Sequence, residues 1–191
     1  NLLFKTKYSD IISTKLDTFI LINDNSYNLV DRNNKVLMKN YKYILEDNDY
    51  YLVVNANNKI SLYNDKLKKV LDNKITYKGD CSTLRVIDYG NRLLVGSNYK
   101  SYREDYLYVV KNKKVDSKDK VYSFYVDDYL YIKSKDDISV YDKNYDYTSY
   151  KLENVENIEM VNRDVIIDYS AKSITKNEIE LHFDSVLFKN S

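Results

Sequence analysis

Proline and tryptophan are absent from the chain, glycine occurs three times, and cysteine and histidine once each. Each shortage excludes something. A lone thiol, Cys81, cannot close an internal disulfide, so packing must hold the fold together. One cysteine and one histidine, His182, cannot build a structural zinc cluster. Three glycines leave no room for a phosphate-cradling loop, a Walker pattern or a nucleophile elbow. No run approaches the roughly 18 apolar residues of a membrane helix, no secretory leader is visible, and no Asn-x-Ser/Thr sequon occurs. An excess of either charge is missing too: 30 basic and 29 acidic residues, mixed along the chain, leave a net charge of +1. A duplex nucleic acid or an anionic membrane calls for a basic stripe, and there is none. Interleaved Tyr and Lys can stack and steer a single strand, but a solvated, half-apolar sheet face accounts for them more simply.

What is present is tyrosine, 22 residues in 191, with 43% hydrophobic and 31% charged residues overall. That balance is far from the composition of a disordered chain, and the length suits one domain, 1–191, with a core of its own. Lys, Asn, Asp, Ile and Tyr are the residues spelled by A/T-rich codons, which points to an AT-rich bacterial genome. Tyr then serves as the default large apolar residue, its ring covering a sheet face and its hydroxyl staying wet. The chain opens on Asn1 rather than Met, so the expectation is a piece excised from a larger protein.

Periodicity gives short runs of Val, Ile, Leu, Phe and Tyr separated by clusters of Asn, Asp, Lys and Ser, which is the signature of strands and turns. Sustained helical spacing is absent; the best helix candidate, Leu152 to Met160, itself reads as an irregular strand entry. The runs beginning at Phe19, Tyr51, Leu93, Tyr129 and Val165 occupy equivalent places, 32, 42, 36 and 36 residues apart. Within a unit a polar turn follows, then a second strand (Tyr27 to Val30, Ile60 to Tyr63, Ile138 to Tyr141), another turn, and a third strand. A fourth run, such as Tyr41 to Leu45 or Leu84 to Ile87, leads into the next unit. Asn and Asp at the turns stand in for glycine, because they tolerate positive φ and bond their own backbone. The fold class expected is all-β, about five short antiparallel β-meander repeats stacked as a β-propeller-like array, the alternative being an open twisted β-solenoid or an incomplete propeller. The Phe183 to Phe188 run would complete the first unit or begin a sixth.

Three stretches, KYSDII (Lys7 to Ile12), FILINDNSYNLVDRNNKVL (Phe19 to Leu37) and YKYI (Tyr41 to Ile44), resemble the WG or KWG family of bacterial β-repeats. The Asp31 to Lys35 turn stands where that family places its Asp-x-x-Gly-Lys turn. Asn replaces the Gly, and the Trp-Gly pair is absent. The resemblance implies a binding scaffold, often in secreted or surface-attached proteins, and carries over no catalytic residue. The location expected is an extracellular or membrane-anchored bacterial surface, with the cytoplasm left open.

Candidate chemistry is sparse. Cys81 and His182 could form a nucleophile and base pair, against the plainer reading of a strand-face histidine. The stretch Asp142 to Glu153 sets Asp142, Asn144, Asp146 and Glu153 at positions 1, 3, 5 and 12 of a calcium loop, with Tyr147 where the loop needs Gly; the plainer reading is a hairpin turn. The carboxylate pairs Glu104/Asp105, Asp127/Asp128 and Asp136/Asp137 sit at predicted turns, where they are solvated. No cofactor is expected beyond that candidate calcium. The leading functional reading is a non-catalytic protein-interaction or structural module, with a glycan-binding module and a small propeller hydrolase as alternatives. Tyr63 and Tyr141 are the contact residues to test first. A glycan reader would gather Tyr beside Asn or Asp in one concave pocket, an enzyme would show a deep pocket with a perturbed carboxylate, and a scaffold would show a broad exposed aromatic patch. Because function should lie where repeats differ, the 42-residue spacing holding Lys74 to Arg85 is the place to look first.

Overall fold

The computed structural model describes residues 8–24, 26–97, 105–126, 128–134, 137–153, 155–161 and 164–169. His182, the Phe183 to Phe188 run, Glu104, Asp127 and Asp136 lie outside them. The described residues are all-β: four four-stranded antiparallel meanders and a two-stranded sheet, with one 3-10 turn at Cys81–Thr83.

The first sheet runs β1 (Asp10–Ser13), β2 (Thr18–Asn23), β3 (Ser26–Asp31) and β4 (Val36–Tyr41). The second runs β5 (Tyr43–Asp47), β6 (Tyr50–Val54), β7 (Lys59–Asn64) and β8 (Lys69–Thr76). The third is β9 (Leu84–Tyr89), β10 (Arg92–Ser97), β11 (Asp105–Lys111) and β12 (Lys114–Val121). The fourth is β13 (Ser123–Val126), β14 (Tyr129–Lys133), β15 (Asp137–Asp142) and β16 (Tyr147–Glu153), and β17 (Val155–Val161) pairs with β18 (Asp164–Tyr169). The five equivalent runs of the sequence are β2, β6, β10, β14 and β18. The frame of the repeat moves by one strand, because the run expected to lead into the next unit is the first strand of the next sheet. The helix candidate Leu152 to Met160 falls on β16 and β17.

Local chemistry sets the turns. Four of them share one design: the Asx side chain that opens the turn accepts two backbone N–H groups, and the residue three places on has positive φ. Asp31 Oδ1 accepts from Asn33 N and Lys35 N (2.9 and 2.8 Å), and Asn34 has φ 63°. Asn55 Oδ1 accepts from Asn57 N and Lys59 N (2.9 and 3.0 Å), with Asn58 at φ 59°. Asn64 serves Lys66 N and Lys68 N (3.1 and 2.8 Å), with Leu67 at φ 58°. Asp142 serves Asn144 N and Asp146 N (2.8 and 3.0 Å), with Tyr145 at φ 67°. Two-residue hairpins use Asn48-Asp49 and Asn112-Lys113, all four at positive φ as the I′ turn demands.

The repeated Ile-Ser-x-Tyr phrase has a structural job. Ser61, in the middle of β7, is 4% exposed and accepts the N–H of Asn73 at 3.0 Å, holding a bulge in β8 where Asn73 takes φ 51°. In the first sheet Asn28 Oδ1 holds Asn40, at φ 60°, in the same way (2.9 Å). A register shift recurs beside Ser139 in the fourth sheet.

Two compact units divide the chain: residues 1–88, 92–95 and 108–116, and residues 89–91, 96–107 and 117–191. In the first, β6 carries Tyr51, Leu52, Val53 and Val54 buried in succession, so both faces of the second sheet are covered. One face, with Tyr51 and Val53, packs against Ile20, Leu29 and Met38 of the first sheet. The other, with Leu52, Ile60, Leu62 and Leu71, packs against Leu84, Val86, Leu93 and Val95. Sheets thus stack face to face, which is what a meander too thin to bury itself requires. In the second unit Phe124, Leu130, Tyr131 and Ile138 are buried. There, a Cβ on Gly96 would stand 3.0 Å from Leu107 and 3.1 Å from Phe124, so the missing side chain lets strand and ring close up.

Candidate functional site

Where the repeats differ, the chain opens a cavity. Passing from β4 to β5 takes one residue, Lys42, whose N–H bonds Val54 O at 2.8 Å; passing from β12 to β13 takes Tyr122, whose N–H bonds Lys133 O at 2.8 Å. Between β8 and β9 the path is longer, residues 77–83, and this is the source of the 42-residue spacing. Tyr77 continues the ladder, its N–H on Asn58 O at 2.9 Å. Gly79 then passes beside the Tyr77 ring, where an added Cβ would lie 2.5 Å from the hydroxyl. Asp80 caps the 3-10 turn, Oδ1 accepting from Ser82 N at 2.9 Å and from Ser82 Oγ at 2.7 Å, and those bonds hold its carboxyl below the usual range.

The space between this loop and the first two sheets is a cavity of about 340 Å³, lined by Gly79 to Ser82 with Tyr27, Lys42 and Tyr43. The Tyr27 and Tyr43 rings lie 5.0 Å apart at 54°, and burial pushes both hydroxyls up. Lys42 is exposed and donates to Asn58 Oδ1 at 2.5 Å. Cys81 is 9% exposed; burial pushes its thiol up, with Lys42 working in the opposite direction, so at neutral pH it stays protonated and weakly nucleophilic. Behind the two rings a smaller cavity of about 120 Å³ is lined by Ile12, Ile20, Ile44 and Glu46 among others. The carboxyl at the larger cavity, Asp80, is shifted downward, the opposite of what a general acid needs. Asp88, whose carboxyl is raised by burial and then by Asp49, lines neither cavity.

The two tyrosines singled out by the sequence sit in equivalent positions of β7 and β15 but in different surroundings. Tyr63 is half-buried opposite Tyr51 and packs on the first core cluster; burial and then the neighbouring Tyr63 push the Tyr41 hydroxyl up, and Lys69 Nζ stands 5.7 Å from the Tyr63 ring. Tyr141 belongs to an aromatic cluster at the surface of the second unit. Tyr145 stacks on it at 4.9 Å and 20°, and Tyr147 meets it edge-on at 5.5 Å and 68°. Lys118 Nζ lies 5.3 Å from the Tyr141 ring and 5.4 Å from the Tyr145 ring, within reach of both π faces. Tyr147 is 51% exposed.

Of the calcium positions, Asp142, Asn144 and Asp146 share one turn. Glu153 faces Asp137 across the ladder, at the opposite end of β15 and β16 from Tyr141 and Tyr147. Asp142 is engaged by its own turn's amides, in the role that the uncharged Asn64 fills in the second sheet. Replacing Asp142 with Asn is therefore expected to leave thermal stability unchanged. Asp142→Ala, which strands two amides, should cost about 1 kcal/mol, read as a lowered urea midpoint. A midpoint that added calcium raises in the wild type but not in Asp142→Asn would show that the carboxylate serves a metal.

No family model matches the chain, and no curated protein does. Among solved structures it is similar to Hsv2p of Kluyveromyces lactis, at 9% identity over 90% of this chain and 67% of that one, with a TM-score of 0.44. It is similar to the N-terminal domain of Nup159, at 11% identity, 88% and 55% coverage and a TM-score of 0.43. The WD40 domain of SCAP from fission yeast follows at 11% identity, 79% and 48% coverage and a TM-score of 0.38. The chain spans about half the length of the last two. Likenesses this distant carry no argument about activity or partner.

Proposed function

We propose that the chain is a non-catalytic interaction module, a propeller-like array of β-meanders that binds another protein through the aromatic cluster of Tyr141, Tyr145 and Tyr147. The supporting observation is the cluster itself: three rings packed on one another at the surface, with an ammonium against two of them. Rings ordered in advance lose little entropy when a partner covers them, which is why tyrosine recurs at interface centres. Lys118 adds a positive edge, and an aromatic or carboxylate-bearing partner surface complements both.

The chain, immobilised, should retain a partner from an extract of its own organism that Tyr141→Ala/Tyr147→Ala fails to retain. For the purified partner the double variant should weaken binding at least about tenfold, with the melting temperature nearly unchanged. Tyr63→Ala, packed in the first unit, should lower the melting temperature and leave that affinity alone. Retention of the same proteins by wild type and double variant would overturn the assignment of this surface.

A further inference from the structure

We infer that the cavity lined by Tyr27, Lys42, Tyr43 and Asp80 is a binding site for one saccharide residue, a neutral polyhydroxylated ring. This is a second ligand class, in the other unit from the aromatic cluster, and it stands on its own observations.

Charge narrows the choice. The site holds one ammonium, Lys42, and one carboxylate, Asp80, which its Ser82 bonds keep ionised. An anionic ligand meets Asp80 and a cationic one meets Lys42, each without a second opposite charge to offset the repulsion. An apolar ligand strips water from both groups and returns no hydrogen bond. A neutral polyol suits both. Asp80 Oδ1 is occupied by Ser82, which leaves Oδ2 to accept from a ligand hydroxyl. Lys42 gives one donor to Asn58, which steadies the ammonium, and has others for a hydroxyl oxygen. Gly79 brings bare backbone to the rim, and the Tyr27/Tyr43 pair supplies an apolar wall for the C–H face of a ring.

Size narrows it further. About 340 Å³ lies at the small end of ligand pockets, which run from about 300 to 1,000 Å³, so the site takes a single sugar residue, free or at a chain terminus. Few polar groups around an apolar wall give affinity in the millimolar range for a free monosaccharide.

The test uses the full chain with glucose, galactose, mannose and N-acetylglucosamine as probes at tens of millimolar, read in two ways. Saturation-transfer NMR should show contact to the ring protons of at least one sugar. Alkylation of Cys81, the only thiol in the chain, should slow in the presence of that sugar, because the thiol lines the same cavity. Tyr43→Ala and Lys42→Gln should each abolish the protection, and a circular-dichroism melt shows whether each variant is folded. Lys42 is exposed, so at least the second stays folded. If no sugar of the panel gives saturation transfer or slows alkylation, the site is not a saccharide site. Protection that persists in folded Lys42→Gln with undiminished transfer would overturn the assignment to this cavity as well.

Discussion

Leu62→Ala should destabilise the first unit by about 2–5 kcal/mol, the largest loss expected from any single truncation considered. Leu62 is fully buried in β7, opposite Leu52 on β6 and Leu71 on β8, both also fully buried. Its side chain faces the cluster shared with Leu84, Val86, Leu93 and Val95 of the third sheet. Removing it leaves a void between two sheets whose backbones are fixed by their own ladders, so the site cannot collapse to fill it. Against a total of about 5–15 kcal/mol for an ordinary domain, that is a large share. Urea unfolding followed by circular dichroism reads it as a lower midpoint with an unchanged slope. Val36→Ala, at 53% exposure on β4, is the comparison and should move the midpoint by less than about 0.5 kcal/mol. Equal effects of the two substitutions would mean that the inter-sheet cluster is not closed.

Gly90→Ala should be nearly as damaging, for a different reason and in the second unit. Gly90 has φ 59°, and a Cβ there would stand 2.7 Å from Lys143 O, a backbone atom that cannot swing aside. Left-handed backbone costs a side chain about 1–2 kcal/mol, and relieving the clash means lifting the β9–β10 turn off the Asp142 turn. That contact is also where the Tyr89 hydroxyl donates to the carbonyls of Tyr141 and Asp142. Faster hydrogen exchange at the Tyr141 and Tyr145 amides, with a lowered melting temperature, is the expected result. Unchanged exchange there would show that the two turns do not depend on each other.

Tyr63 and Tyr141 show how far the sequence could be read. They are equivalent by alignment and equivalent in the sheets, both one residue before an Asx turn. Their surroundings diverge at the turn's positive-φ residue. Leu67 packs into the first core cluster, whereas Tyr145 stacks on Tyr141 and builds a surface. Lys118, the other part of that surface, comes from β12, a strand of the neighbouring sheet, and no spacing along the chain announces it. The calcium-like pattern was readable as a hairpin turn, the plainer of its two readings, but not the job of its first carboxylate, which is the acceptor that its own turn's amides require. The cavity was half legible. An irregular spacing marked residues 79–82, while Tyr27, Lys42 and Tyr43 carry no signal of their own.

Strands and turns are settled by interactions within about ten residues: alternation on a pleat, an Asx side chain closing on amides two and four places on, an Asn accepting positive φ where glycine is scarce. Those interactions are present in the unfolded chain's own neighbourhood, so the sequence by itself determined them. Which tyrosine faces water, which lysine stands against a ring and where a hollow is left depend on sheets meeting across residues far apart in the chain. That meeting is driven by burial without direction and made specific only by close packing, and so the tertiary structure alone decided the two surfaces on which function is proposed.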